Sequence, residues 1–141
     1  MKFVFIINPH AGEADNEEKI RREAAGIEGA DCEFYVTKAV GDATEFVRNW
    51  CKEHAGEEVR FIACGGDGDG FAIGTAHTIH AMRRNVNITY ILMDNHVYGL
   101  TKGQTSPRSD VGFKTKTTPT GNIETPIAAL ELALASGATF V

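Results

Sequence analysis

Short apolar stretches rich in β-branched and aromatic residues recur along the chain, separated by polar or amphipathic stretches. Runs of this length and composition, followed by turn residues such as Gly, Pro, Asn or Asp, are typical of buried β-strands. The predicted strands are residues 3–8, 32–37, 59–64 and 88–93, and a fifth strand is expected to begin at residues 138–141.

The stretches between the strands have the composition or the apolar spacing of helices. In the second of them, Ala43, Phe46, Val47 and Trp50 fall on one helical face. Asp42 precedes this face and is a candidate for the N-cap of the helix. The predicted helices cover residues 16–25, 42–54, 71–84 and 126–135.

Strands that alternate with helices through short connections predict parallel strands joined by right-handed crossovers. We expect a single α/β domain over residues 1–141, with a doubly wound, mostly parallel five-stranded sheet in a flavodoxin-like or Rossmann-like three-layer sandwich. Ligands of such folds bind at the carboxyl ends of the strands. In this chain those ends carry residues 8–12, 65–70 and 94–96.

Composition and charge exclude several classes of protein. The 141 residues include 14 Lys and Arg against 19 Asp and Glu, without the dense basic face that nucleic-acid binding needs. No apolar run approaches the roughly 18 residues of a membrane span. The three cysteines, Cys32, Cys51 and Cys64, form no C-x-x-C pair, which favours reduced thiols in a cytoplasmic protein.

The segment Gly-Gly-Asp-Gly-Asp-Gly at residues 65–70 follows a predicted strand and precedes a predicted helix. Glycines let backbone amides approach phosphate oxygens, and a helix amino terminus adds positive charge. Asp67 is placed to hold a cation that bridges phosphates. Glycine-rich turns also occur in α/β proteins without a ligand, but this run favours a diphosphate-containing small molecule.

Three motifs in the first half of the chain resemble the start of bacterial diacylglycerol-kinase-type lipid kinases. They are Asn-Pro-x-Ala-Gly at residues 8–12, Tyr-Val-Thr at 35–37 with Gly-Asp-Ala at 41–43, and Ile-Ala-Cys-Gly-Gly-Asp-Gly at 62–68. The resemblance implies that residues 1–65 bind ATP with Mg²⁺. The nucleotide-binding residues that it implies are Asn8, Pro9, Gly12, Thr37, Gly65, Gly66, Asp67 and Gly68.

The chain departs from that kinase pattern after the shared motif. Asp69 stands where the family has a threonine, and the family's second domain, which supplies the lipid site and the catalytic base, has no counterpart. Phosphoryl transfer requires the acceptor, the metal and the phosphate to be positioned together. Kinase activity is therefore not expected.

Gly-Asp-Gly at residues 66–68 and Asp-Asn at residues 94–95, with 25 residues between them, resemble the thiamine-diphosphate motif. Asp67 and Asn95 follow successive strands, so we expect their side chains to meet across adjacent loops as hard oxygen ligands for Mg²⁺. The resemblance implies a metal site formed by Asp67, Asn95 and the backbone carbonyl of Val97, completed by diphosphate oxygens and water.

Residues 66–141 resemble, more narrowly, the β subunit of 2-oxoacid:ferredoxin oxidoreductases. Residues 66–74, 80–85 and 98–104 carry the resemblance, the last as Tyr-Gly-Leu-Thr-Lys-Gly-Gln. It implies that this half binds thiamine diphosphate with Mg²⁺. The cofactor-binding residues that it implies are Gly66, Asp67, Gly68, Asp69, Asn95, Val97, Tyr98, Gly99, Leu100 and Thr101.

Departures from this second family bear on activity. Asp94 stands where the family usually has an asparagine; this difference is either without effect or adds a carboxylate near the diphosphate, which would repel it. The cysteine-rich segment that holds an iron–sulfur cluster is not found, and the partner subunit that contacts the aminopyrimidine ring would have to be a separate chain. We therefore expect a cofactor-binding fragment that is inactive alone, and the catalytic residues stay unassigned.

The two resemblances meet at Gly-Gly-Asp-Gly, residues 65–68, which suggests a chimera of two α/β halves. The first functional hypothesis is a thiamine-diphosphate-binding fragment of a 2-oxoacid:ferredoxin oxidoreductase β subunit, completed by a partner subunit. The second is the ATP-binding half of a lipid kinase. The third is an inert or binding-only chimera.

Overall fold

The computed structural model describes residues 2–9, 16–99 and 103–141, and it divides the chain into two compact units, Met1–Glu58 and Val59–Val141. Each unit contains its own pair of parallel strands. The residues predicted to hold thiamine diphosphate all belong to the second unit.

The first unit contains a strand–helix–strand arrangement followed by a second helix. Strands β1 (Lys2–Ile7) and β2 (Asp31–Val36) pair in parallel along their whole length, and helix α1 (Asn16–Ala25) connects them. Helix α2 (Asp42–Glu53) follows β2. Aromatic rings join neighbouring elements: Phe5 of β1 stacks on Phe34 of β2 at 5.1 Å between ring centroids, and Tyr35 of β2 stacks on Phe46 of α2 at 3.9 Å.

Asp42 does not cap α2, contrary to the prediction. The N-cap position is Gly41, at a φ of 86°, and it makes no side-chain cap hydrogen bond. The Asp42 carboxylate instead accepts hydrogen bonds from the Lys38 amide and the Tyr35 hydroxyl, both at 2.7 Å. These bonds, the amide first, lower the pKa of Asp42. The Asp42 carboxylate thus stabilises the turn before the helix and does not accept hydrogen bonds from the first amides of the helix.

The second unit contains the other parallel pair, a small antiparallel hairpin and two helices. Strands β3 (Phe61–Gly66) and β4 (Ile88–Met93) pair in parallel, and helix α3 (Thr75–Arg83) lies in the connection between them. Strands β5 and β6 form the hairpin, and helix α4 lies near the end of the unit. Their bounds are Val97–Tyr98, Gln104–Thr105 and Ala129–Ala135.

The alternation of strands and helices and the two parallel pairs confirm the Rossmann-like α/β class. The described strands form three two-stranded sheets, β1–β2, β3–β4 and β5–β6. Residues 138–141, expected to begin a fifth strand, continue from α4 as a turn and irregular chain. The amide of Ala138 bonds to the Ala133 carbonyl at 3.0 Å, and Phe140 is 94% exposed. Across the described residues, no helix has both the length and the apolar composition of a membrane span.

The helix predicted over residues 71–84 is interrupted at Gly74. A π-helical turn, Asp69–Ile73, precedes α3, and the Gly74 amide donates to the Asp69 carbonyl at 2.8 Å. A Cβ atom on residue 74 would lie 2.4 Å from that carbonyl oxygen. Glycine is therefore required where the π turn passes into the helix, and π turns are frequent at functional sites.

Helix α4 begins at Ala129, three residues later than predicted, because the preceding backbone is bonded elsewhere. The Ile127 amide donates to the Pro107 carbonyl at 2.8 Å, and Nη1 of Arg108 donates to the Ile127 carbonyl at 2.5 Å. These bonds hold residue 127 against the loop at residues 107–108, and the second of them occupies a carbonyl that would accept an intrahelical hydrogen bond if the helix began at residue 126.

Candidate functional site

The register of β3 and β4 brings the two predicted metal-binding loops side by side. Gly66, the last residue of β3, pairs with Met93, the last residue of β4. Asp67 follows β3 directly, and Asn95 follows β4 after one intervening residue. Because the strands are parallel, both loops leave the same edge of the sheet, as the sequence predicted.

Tyr90 occupies the space beside two glycines of the segment 65–70. A Cβ atom on Gly65 would lie 2.2 Å from the Tyr90 hydroxyl oxygen, and one on Gly70 would lie 2.5 Å from it. Burial, followed by the charges of Asp69 and Cys64, raises the pKa of Tyr90. These two glycines therefore serve the packing of a tyrosine ring, which sequence analysis did not anticipate.

Gly68 and Gly66 have different surroundings. A Cβ atom on Gly68 would lie 2.2 Å from the ring of Tyr98, whose hydroxyl donates to the Gly68 carbonyl at 3.2 Å. Burial, followed by the charges of Asp67 and Asp69, raises the pKa of Tyr98. A Cβ atom on Gly66 would meet nothing within 4 Å. Only Gly66 thus keeps the open space that was expected for a phosphate along this segment.

Asp67 is the most buried acidic side chain described, at 1% exposure. Its Oδ2 atom accepts a short hydrogen bond from the Ser106 hydroxyl. A buried carboxylate that the protein holds in place through one oxygen has the form of a cation ligand.

The turn after β4 carries the other two predicted metal ligands, Asn95 and Val97. His96 between them has a φ of 60°, which is uncommon for a residue other than glycine. The Asn95 side-chain oxygen accepts a hydrogen bond from the Val97 amide at 3.2 Å. The Ser109 hydroxyl donates to the His96 carbonyl at 2.5 Å. Two hydrogen bonds thus hold this left-handed turn, one between Val97 and Asn95 within the turn and one from Ser109, which lies outside the turn, to His96.

The loop at residues 106–109 connects Asp67 to that turn. Ser106 donates its hydroxyl proton to Asp67 and its amide proton to the Ser109 hydroxyl, the latter at 2.8 Å. Ser109 in turn donates to His96, so three successive hydrogen bonds join the two metal-binding loops. Asn122 supports the loop by donating to the Ser109 carbonyl at 3.0 Å.

Asp94, the departure from the oxidoreductase pattern, has a cationic partner. Nε of Arg108 donates to Asp94 Oδ2 at 2.8 Å, and both side chains are about one-quarter exposed. His96 lies 3.5 Å from Asp94 and 3.8 Å from Asp110. The guanidinium therefore offsets the extra negative charge that Asp94 brings to this edge of the sheet.

The β5–β6 hairpin holds Tyr98 opposite Gln104. Oε1 of Gln104 is buried and has no hydrogen-bond partner among the described residues. Gly99 follows Tyr98 at the hairpin's turn and is exposed, and Asp69 is exposed at the start of the π turn. Leu100 and Thr101, both predicted to bind the cofactor, lie outside the described residues.

The residues predicted to bind a nucleotide divide between the units. Asn8, Pro9 and Thr37 belong to the first unit, Gly65–Gly68 belong to the second, and Gly12 lies outside the described residues. Thr37 donates its amide and its hydroxyl to the Ile7 carbonyl, at 2.9 and 3.3 Å. In the structure Thr37 therefore extends the pairing of β1 with β2.

Sequence analysis missed the polar loop that supports the site. Ser106, Arg108 and Ser109 lie in an irregular stretch, 39, 14 and 13 residues from the groups that they contact at the site. The sequence around these three residues has no helical or strand periodicity that would indicate them. The density of hydroxyl residues in Thr-Ser-Pro-Arg-Ser-Asp, residues 105–110, is the one local signal that could have indicated a hydrogen-bonded loop.

The donor set at the two strand ends fits a hard divalent cation. Asp67 offers a carboxylate, Asn95 an amide oxygen and Val97 a backbone carbonyl, which are the oxygen ligands that Mg²⁺ prefers. Within the described ranges, no group of three His, Cys, Asp or Glu side chains is arranged to hold a metal. A cation here would thus depend on amide and carbonyl oxygens and on oxygens of a bound anion.

Comparison with known families gives one match that covers most of the chain. Residues 24–141 match the family described as thiamine pyrophosphate enzyme, C-terminal TPP binding domain. This match runs through residues 65–70 without a break at the proposed junction. It therefore gives no support to the chimera hypothesis.

Curated relatives include subunits of enzymes named for 2-oxoglutarate. The chain is 51% identical over 87 residues to the 2-oxoglutarate oxidoreductase subunit KorB of Mycobacterium tuberculosis, a stretch covering 62% of this chain and 23% of that protein. It is 46% identical over 84 residues to the 2-oxoglutarate synthase subunit KorB of Archaeoglobus fulgidus, covering 60% and 32%. The chain thus spans less than a third of the length of these relatives.

A solved structure resembles nearly the whole chain. It is the 2-oxoglutarate:ferredoxin oxidoreductase from Magnetococcus marinus with 2-oxoglutarate, coenzyme A and succinyl-CoA bound. The TM-score is 0.60 at 32% identity, covering 98% of this chain and 42% of that one. None of these matches supports a lipid-kinase segment in residues 1–68.

Proposed function

The chain belongs to the thiamine pyrophosphate enzyme C-terminal domain family, and on that premise we propose that it binds thiamine diphosphate through Mg²⁺ at the carboxyl ends of β3 and β4. The observation that carries this proposal is the buried carboxylate of Asp67, linked by hydrogen bonds to the turn that bears Asn95 and Val97. In this proposal Asp67, Asn95 and the Val97 carbonyl hold the cation.

The chain's own residues supply binding and orientation. We assign the open space beside Gly66 to the diphosphate, and Asp69, Tyr98 and Gly99 to the rim of the same site, with Leu100 and Thr101 following in sequence. The ring of Tyr98 fills the space against Gly68 and fixes the start of the π turn. When bound, thiamine diphosphate supplies the stabilisation of a carbanion, which no side chain provides.

Calorimetric titration tests the proposal. Thiamine diphosphate is expected to bind the chain in the presence of Mg²⁺ and to bind more weakly when EDTA removes the Mg²⁺. Asp67→Asn keeps an acceptor for Ser106 but removes the charge, and Asn95→Ala removes the amide oxygen, so both variants should bind at least tenfold more weakly. ATP with Mg²⁺ is the comparison ligand. Binding that is indifferent to Mg²⁺ or to both substitutions would contradict the assignment.

We further propose that the complete enzyme acts on a 2-oxoacid with ferredoxin as the electron acceptor, the pair of substrates in the name of the Magnetococcus marinus protein. A partner subunit would complete the site. The chain alone should therefore not reduce an artificial electron acceptor with 2-oxoglutarate, and turnover by the purified chain would contradict this.

A further inference from the structure

Ser106 and Ser109 share a polar arrangement that their sequence positions do not reveal. Both are buried, at 5% and 1% exposure. The Ser106 hydroxyl accepts the Arg108 amide at 3.2 Å, and the Ser109 hydroxyl accepts the Ser106 amide at 2.8 Å. A serine hydroxyl has only one proton to donate. Because each hydroxyl oxygen accepts a hydrogen bond from an amide of its own loop, each hydroxyl proton is available to a group outside that loop.

Each outward proton reaches a different side of the proposed cation site. The Ser106 proton goes to the Asp67 carboxylate, and hydrogen bonds to a charged group are about twice as strong as neutral ones. The Ser109 proton goes to the carbonyl of His96, the residue in the left-handed conformation between Asn95 and Val97. One serine thus fixes the carboxylate, and the other fixes the turn that aims the amide and carbonyl oxygens.

We propose that Ser106 and Ser109 are positioning residues, which hold the two sides of the cation site at a fixed separation before the cofactor binds. This inference rests on the proposed function. The amide of Ser106 bonded to the Ser109 hydroxyl joins the two contacts into one unit, so the carboxylate and the turn cannot move independently. Groups that hydrogen-bond to metal ligands typically contribute about 10–100-fold to metal affinity.

If the serines only contributed to general stability, their loss would lower the stability of the whole unit without a local effect. Hydrogen exchange distinguishes that role from positioning of the cation site. In the ligand-free chain, Ser109→Ala should speed amide exchange at residues 95–98 while leaving the amides of β3 and β4 unchanged. The matched control is Ser136→Ala, in the turn after α4, which makes none of these contacts. Unchanged exchange at residues 95–98 in Ser109→Ala would overturn the inference without any ligand.

Affinity provides the second readout. Titrated with Mg²⁺ and thiamine diphosphate, Ser106→Ala and Ser109→Ala should each bind about 10–100-fold more weakly than wild type, and Ser136→Ala should match wild type. If wild type binds and both alanine variants bind as tightly, the positioning role is wrong and the proposed function stands. If wild type shows no Mg²⁺-dependent binding, the proposed function fails, and the positioning role fails with it.

Discussion

At the scale of single residues, Gly68 and Gly66 are two positions apart but meet different surroundings. Gly68→Ala would place a methyl group 2.2 Å from the Tyr98 ring, so the ring must move and its hydrogen bond to the Gly68 carbonyl is strained. Overpacking of this kind costs about 1–3 kcal/mol. Urea unfolding of the variant should show that loss in the free energy of unfolding.

Gly66→Ala is the matched substitution, because a Cβ atom there meets nothing within 4 Å. Its free energy of unfolding should stay within about 0.5 kcal/mol of wild type. If the diphosphate occupies that space, the added methyl should weaken thiamine diphosphate binding about tenfold, or about 1.4 kcal/mol. Equal loss of stability in the two variants would contradict the packing that distinguishes these glycines.

The ion pair between Asp94 and Arg108 is expected to affect the affinity for thiamine diphosphate. Arg108→Met leaves the Asp94 carboxylate without its guanidinium partner at 2.8 Å, next to the proposed diphosphate site. A repulsion of about 1 kcal/mol between unit charges in water corresponds to about fivefold weaker binding. Calorimetric titration at low ionic strength measures it.

The double variant provides the control for that pair. Arg108→Met with Asp94→Asn has neither charge, so most of the lost affinity should return, and the loss in the single variant should shrink as salt is added. If the double variant binds as weakly as Arg108→Met alone, the guanidinium acts on the site through its contact with Ile127 and not through Asp94.

At the scale of elements, Asp42 links the turn before α2 to the pH dependence of stability. Hydrogen bonds from Lys38 and Tyr35 hold the pKa of Asp42 below its ordinary value of 3.8. The unfolded chain therefore takes up a proton at higher pH than the folded chain. The stabilisation is present above about pH 4 and is lost as the pH falls through the folded pKa.

Asp42→Asn tests this sign, because the amide keeps an acceptor oxygen and does not titrate. Between pH 7 and 3, the urea midpoint of wild type should fall more steeply than that of Asp42→Asn. Glu18→Gln, which removes an exposed carboxylate from α1, should follow wild type. Parallel curves for wild type and Asp42→Asn would show that the two hydrogen bonds do not matter for acid stability.

The elements themselves were largely predictable where local composition decides them. The apolar runs place β4 at its observed bounds and the other three long strands within two residues. The start of α4 was not predictable, because it depends on the hydrogen bond from Arg108 to the Ile127 carbonyl, and the break at Gly74 depends on its close approach to Asp69. Contacts of this kind leave no periodic trace in a sequence.

The candidate site divides in the same way. Asp67, Asn95 and Val97 follow strands at a recognisable spacing, so the sequence indicates them as a possible ligand set. Ser106 and Ser109 reach them from an irregular loop, over 39 and 13 residues, so only the folded chain identifies them. The ligands of such a site are thus easier to predict than the groups that hold them.

At the scale of the molecule, the proposed site belongs wholly to one of the two compact units. Asp67, Asn95 and the serine loop all lie in Val59–Val141, and the described residues of the kinase-like motifs at residues 8–9 and 35–37 lie in Met1–Glu58. Thiamine diphosphate at about 100 times its Kd stabilises the form that binds it by roughly 2.7 kcal/mol. Amides that exchange through local opening near the ligand should gain that protection.

Hydrogen exchange with and without Mg²⁺ and thiamine diphosphate therefore gives a spatial test of the assignment. Protection should rise at residues 66–69, 94–98 and 103–109, while residues 2–9 and 31–37 keep their rates. Asn95→Ala, which is expected to weaken binding at least tenfold, should reduce the rise by about half or more at the same ligand concentration. If residues 2–9 and 31–37 gain as much protection as the second unit or more, the diphosphate does not bind at the proposed site. ATP with Mg²⁺ is the comparison ligand, and equal protection by ATP would show that the site does not distinguish a nucleotide from thiamine diphosphate.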